Sequence, residues 1–159
     1  MDPLLQLLQK NALTSRADLA LQLGLSEGAV EQRINEFERE GVILGYEAVL
    51  DQEKLEDDTV TAMIEIRVTP ERGGGFDRLA SRIARFEQVQ SCYLMSGSYD
   101  LLVIIRGHTL REVSGFVTQK LSTLEGVVST ATHFQLKAYK QNGFLSEAPI
   151  TNARLAVAP

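Results

Sequence analysis

Between Val60 and Val68 the side chains sort by parity: Val60, Ala62, Ile64, Ile66 and Val68 fall on one side of the count, Thr61, Met63, Glu65 and Arg67 on the other. A period of two belongs to an extended strand with two chemically different faces, and a slip of one residue would turn the whole apolar set outward. Pro70 closes this strand. Phe76, Leu79, Ile83 and Phe86 then recur at helical spacing, and two strands, Val89 to Met95 and Tyr99 to Arg106, flank a Ser96-Gly97-Ser98 turn. The unbroken apolar run Leu101 to Ile105 reads as a central strand covered on both faces. Leu110, Val113, Phe116, Val117 and Leu121 mark a second helix, and Val127 to Tyr139 the last strand.

The resulting order, β-α-β-β-α-β, is the ferredoxin-like split arrangement, an antiparallel sheet with two helices on one face. Two helices cannot cover both faces. Outward positions include Met63 and Tyr139, so the bare face calls for a partner, and a second copy of the same sheet is the simplest one.

The first 41 residues follow a different period. Asp2-Pro3 supplies an N-cap and a first-turn proline for a helix carrying Leu4, Leu5, Leu7 and Leu8 up to Lys10. Ser15 and Asp18 resemble a capping box for a second, short helix with Leu19, Ala20 and Leu23 on one face, ended by Gly24. Ser26 caps a third, in which Val30, Ile34 and Phe37 face inward while Glu27, Glu31, Gln32, Asn35, Glu36 and Glu38 face outward; Gly41 stops it. Val42 to Leu50 reads as a strand leaving the helical unit, and the polar stretch Asp51 to Asp58 as the boundary between domains.

The second and third helices, joined by Gly24-Leu25-Ser26, have the lengths and central glycine of a helix-turn-helix, whose second helix enters the major groove of double-stranded DNA. That geometry turns Ser26, Glu27, Gln32, Arg33 and Asn35 toward the bases and sets Arg16 near a phosphate. The charge runs the other way. The chain carries a net charge of -5, and residues 1–50 hold eight carboxylates (Asp2, Asp18, Glu27, Glu31, Glu36, Glu38, Glu40, Glu47) against four bases (Lys10, Arg16, Arg33, Arg39). One such module binds DNA weakly, so useful affinity requires several held together.

Other chemistries find little support. The single Cys92 cannot form an internal disulfide, and with only His108 and His133 beside it no zinc-ligand spacing exists. Gly73-Gly74-Gly75 lacks the Lys-Ser/Thr sequel of a phosphate loop. No run approaches the roughly 20 apolar residues that span a bilayer, and no leader pattern opens the chain, so a cytoplasmic protein is expected.

Both halves together resemble the Lrp/AsnC (leucine-responsive, feast/famine) regulators. The likeness runs from about Leu4 to Lys140 and rests on Ala17-Asp18-Leu19-Ala20, Gly24-Leu25-Ser26, Ala29-Val30, Arg33-Ile34 and Glu40-Gly41-Val42-Ile43-Leu44-Gly45-Tyr46. In the second half it rests on Ser96-Gly97-Ser98-Tyr99-Asp100-Leu101-Leu102, Leu124-Glu125-Gly126-Val127 and Thr130-Ala131-Thr132. The resemblance implies an α+β chain: a winged helix-turn-helix with its linker strand over residues 1–50, a ferredoxin-like sensing and dimerisation domain over 59–140, and a tail, 141–159. It further implies homodimers assembling into tetramers or octamers, no cofactor, and an amino acid or related metabolite as effector. By position, Gly97, Ser98, Tyr99, Asp100, Leu110, Thr132, His133 and Phe134 would line the effector site, with Asp100 suited to an α-ammonium group. Two alternatives remain: a metabolite-binding oligomer that no longer grips DNA strongly, and a siroheme-decarboxylase-like enzyme, which shares the layout.

Overall fold

The computed structural model describes residues 1–55, 58–70, 73 and 75–146. The chain divides into two compact units, Met1–Val49 and Leu50–Pro159.

In the first unit α1 (Pro3–Lys10), α2 (Arg16–Leu23) and α3 (Glu27–Arg39) close around Leu4, Leu8, Leu19, Ala20, Val30 and Ile34. Each helix starts where the local chemistry supplies an acceptor for an orphan N–H. The Asp2 carboxylate takes the Leu4 N–H, the Ser15 hydroxyl that of Asp18, and the Ser26 hydroxyl that of Ala29. Helix α3 ends on Gly41 at φ 69°. There the Val42 N–H reaches back to the Phe37 carbonyl and the Gly41 N–H to that of Glu38, which satisfies two of the helix's last acceptors.

The expected strand over Val42 to Leu50 does not form: residues 44–50 carry no regular structure, and Leu44 is 95% exposed. β-branched composition makes a segment fit for a ladder, but a ladder needs a second backbone, and none is in place here.

The second unit holds a four-stranded antiparallel sheet in the order β2-β3-β1-β4, from β1 (Val60–Val68), β2 (Val89–Leu94), β3 (Leu101–Gly107) and β4 (Val127–Phe134). Two helices, α4 (Asp77–Ile83) and α5 (Leu110–Phe116, continued by a π-helical turn to Leu121), lie against it. Ala62, Ile64 and Ile66 of β1 are fully buried beneath Leu79, Ile83, Val113, Phe116 and Leu121. At about 1.5–3 kcal/mol for each large apolar side chain, this layer drives folding of the unit.

Two sequence expectations need correction. Strand β3 does sit inside the sheet, but only one face is covered: Leu101, Val103 and Ile105 are buried, whereas Leu102 and Ile104 on the reverse are half-exposed. The last strand stops at Phe134 rather than Tyr139. Its ladder partner β1 begins at Val60, so after Phe134 opposite Ala62, and a final bond from the Gln135 N–H to the Thr61 carbonyl, no backbone is left to pair with. Tyr139, 75% exposed, therefore stands off the sheet, next to a small hairpin of β5 (Lys140–Gln141) and β6 (Phe144–Leu145). Of the tail 141–159, residues 147–159 lie outside the described residues.

The uncovered face of the sheet carries two rows set by register: His133, Met63, Ile104 and Ser91 in one, Ala131, Glu65, Leu102 and Tyr93 in the next. Its centre is apolar. Across it His133 Nε2 lies 3.5 Å from Glu65 Oε1.

Candidate functional site

On α3 the inward residues Val30 and Ile34 fix which side is free. Glu27, Glu31, Gln32, Asn35, Glu38 and Arg39 are exposed on the other. The Gln32 amide donates to Glu36 Oε1 at 3.1 Å, one turn on, which leaves its carbonyl oxygen open. Ser26 is spent on the helix cap.

Arg33 lies elsewhere than its place in the pattern suggests. It is half-buried, and its guanidinium is paired with the carboxylate of Asp2 at the start of α1. Asp2 thus caps α1 with one oxygen and holds α3 with the other. Arg16 is exposed at the N-terminus of α2. Near it Tyr46 donates its hydroxyl to Glu38 Oε1 at 2.9 Å. Partial burial, that bond and the Glu38 charge push the phenol above its ordinary pKa, and the Arg16 charge opposes them. The pattern of the sequence did not foretell the Tyr46–Glu38 contact, which pins the otherwise irregular 44–50 segment to α3.

In the second unit the turn between β2 and β3 is tied down from several sides. The Met95 N–H donates to the Asp100 carbonyl at 2.8 Å, and the Asp100 N–H to the Ile66 carbonyl at 3.0 Å. Arg67 Nε donates to the Ser98 carbonyl at 2.9 Å. Asp100 Oδ2 accepts the Val68 N–H, also at 2.9 Å. That last bond has a local cause: the β1–β3 register ends with Ile66 opposite Leu101, and the carboxylate satisfies the next β1 amide on that side. Gly97 at φ 141° holds a backbone that side chains avoid. Tyr99 is half-buried beside Asp100.

One chain does not gather the eight candidate effector residues. Gly97, Ser98, Tyr99 and Asp100 sit at the Ile66–Val68 end of β1, while Phe134 pairs opposite Ala62, and Leu110 follows β3, whose last residue Gly107 pairs opposite Val60. Six residues of strand separate the ends, about 20 Å. The β4 residues also divide by face: Thr132 and Phe134 point to the helix side, His133 to the uncovered side.

Cys92, half-buried among core side chains, has its thiol pushed above the ordinary pKa by burial. A raised pKa leaves less of the thiolate, the nucleophilic form. Among the described residues no group of three or more His, Cys, Asp or Glu could hold a metal ion, and no helix is long and apolar enough to cross a membrane.

Comparison with known proteins puts a family to this geometry. Residues 61–145 match the Lrp/AsnC ligand binding domain, and residues 4–43 a winged helix-turn-helix DNA-binding model. The chain belongs to the Lrp/AsnC family. It is 45% identical over 157 residues to an uncharacterized HTH-type transcriptional regulator, YugG, of Bacillus subtilis (strain 168), covering 98% of this chain and 95% of that one. The leucine-responsive regulatory protein of Haemophilus influenzae is 33% identical over 138 residues, covering 87% and 82%. A transcriptional regulator of Neisseria meningitidis, solved as a complex with L-Met, superposes with a TM-score of 0.67 at 23% identity, covering 95% and 97%. This Lrp/AsnC chain is thus a transcriptional regulator made of a helix-turn-helix DNA-binding module and a ligand-binding domain, in the α+β architecture expected.

Proposed function

We infer that this regulator works in the cytoplasm as a homo-oligomer without catalytic activity, and that its effector is an amino acid held at a site completed by two subunits. The observation that carries the reading is the spread of the candidate effector residues along one sheet, from the 97–100 turn at the Ile66 end of β1 to Leu110 beyond its Val60 end, about 20 Å away. No single chain can close those groups on a small molecule, whereas the turn of one copy can meet Leu110 and Phe134 of another. At the turn, Asp100 Oδ1 is free of hydrogen bonds among the described residues and suits an α-ammonium group. The Neisseria relative's L-Met supports an amino acid as the class.

Oligomers also serve the rest of the molecule. The apolar centre of the uncovered sheet face and the unpaired 44–50 segment both gain from a second copy. Domain roles follow: residues 1–50 read DNA, residues 59–140 sense and associate. For DNA we assign Gln32 and Asn35 to base edges, Glu27 to a base amino group it can accept from, Ser26 and Arg16 to the entry of the helix beside a phosphate, and Arg33 to holding α1 and α3 together. The acidic face of α3 favours a second reading, a metabolite-binding oligomer with little DNA affinity, and promoter binding at low salt decides between them.

Mixed oligomers test the composite site. Asp100→Asn and Leu110→Glu should each abolish the thermal shift caused by the effector found in a screen of the amino acids. Co-refolded together, the two should recover part of it, because some interfaces then pair an intact turn with an intact Leu110. A mixture as silent as either variant would refute the shared site.

A further inference from the structure

We propose that the arginines on one side of α4 and its last turn, Arg82 and Arg85 with Arg78 beside them, are a second DNA contact of this chain, gripping the phosphate backbone. The proposal rests on the DNA-binding reading above. The three residues line an open groove of about 530 Å³ together with Leu79, Ser81 and Glu125. The guanidiniums of Arg82 and Arg85 share this lining with the Glu125 carboxylate. Spacings of four and three set them along one side of the helix and its last turn, over roughly 10 Å. All three are exposed, and the side chains of Arg82 and Arg85 make no hydrogen bond or ion pair among the described residues. One cation in the last turn would suffice to complement the helix dipole; a row exceeds that need.

The positive surface continues across the helix layer. Lys120 places its ammonium 5.6 Å from the centre of the Phe86 ring and 5.9 Å from that of Phe116, so it is held beside the end of α4. A neighbouring groove joins Lys120 to Arg111, with Glu112 the only acid in its lining. Glu112 Oε2 is already engaged by the His108 N–H at 2.8 Å.

Charge complementarity selects duplex DNA as the occupant. The helical module holds eight acids against four bases, yet sequence-independent affinity for DNA comes from neutralised phosphates. The α4 row supplies what the module lacks. A duplex presents a line of charge, one per roughly 1.7 Å of axis, which suits an open row of guanidiniums better than a point site would. The helix layer also lies opposite the sheet face assigned to a second copy, so association leaves it outward.

The test uses the full chain and two duplexes, one carrying its own promoter and running past it, the other a scrambled sequence of equal length, each followed by fluorescence anisotropy between about 50 and 200 mM salt. Arg82→Gln/Arg85→Gln should flatten the slope of log K against log[salt] by about 1.8 for each protomer that engages the duplex, equally on both duplexes, with oligomeric mass and melting temperature unchanged. Arg82→Lys/Arg85→Lys, which keeps the charge, should restore the slope. Gln32→Ala should do the reverse, losing sequence preference with its slope intact. An unchanged slope in the Gln pair, while Gln32→Ala loses preference, would overturn the arginine row alone; a loss confined to the promoter duplex would overturn it too. Wild-type protein that binds neither duplex at low salt overturns the DNA reading and this proposal with it.

Discussion

Asp100 gives the sharpest test, because the ligand contact proposed above and an observed hydrogen bond meet in one carboxylate. Its Oδ2 accepts the Val68 N–H at 2.9 Å just past the end of the β1–β3 ladder, in a half-buried setting. Asp100→Ala strands that amide. A charge-assisted bond lost from a partly buried donor costs about 2 kcal/mol, which for a domain near 100 residues lowers the melting temperature by roughly 10 °C. Asp100→Asn keeps a neutral acceptor at the same reach and should lose about half as much. The chain has no tryptophan, so helix ellipticity is the signal of choice, read at one fixed protomer concentration because association shifts the midpoint. The two variants therefore separate holding the turn from holding a ligand: Asn should spare most of the stability yet bind no ammonium group. An alanine variant that melts with the wild type, or an asparagine variant as damaged as the alanine one, would refute the reasoning.

Two further outcomes follow from packing. Arg33→Ala removes the ion pair to Asp2, which at this half-exposed site is worth about 0.5–1 kcal/mol, and should raise amide exchange in α1 before any other helix. The Cys92 thiol, pushed up in pKa by burial, is less ionised at pH 8.5 in the folded chain than in the unfolded one; a disulfide reagent should therefore label it more slowly in buffer than in denaturant, with a gap that narrows as pH rises.

The helical module was legible in its sequence because each boundary carries its own chemistry. Asp2, Ser15 and Ser26 act on amides two or three residues away, and Gly41 on carbonyls a turn back, so no distant residue is needed to place α1, α2 and α3. Strand β1 was equally plain, since its alternation records two unlike faces. What failed depends on partners far along the chain. The 42–50 segment has the composition of a strand and no backbone beside it; the last strand ends where β1 stops offering bonds; the second face of β3 lacks its cover. At the sites the same rule holds. The Arg33–Asp2 pair spans 31 residues and the Val68–Asp100 bond 32, distances at which periodicity says nothing. The α4 row was readable as Arg78, Arg82 and Arg85 at helical spacing, but only the folded groove gives that spacing a meaning.

The strand order has a consequence for how the molecule is made. Ile64 of β1 pairs with Val103 of β3 and Thr132 of β4, so the earliest strand to leave the ribosome sits between the two synthesised last. The helical module, whose contacts are local, can close at once, whereas the sheet waits with an apolar strand unpaired. A nascent chain halted before Val127 would present one open edge of β1 to its neighbours, and the hazard of edge-to-edge pairing belongs to that interval.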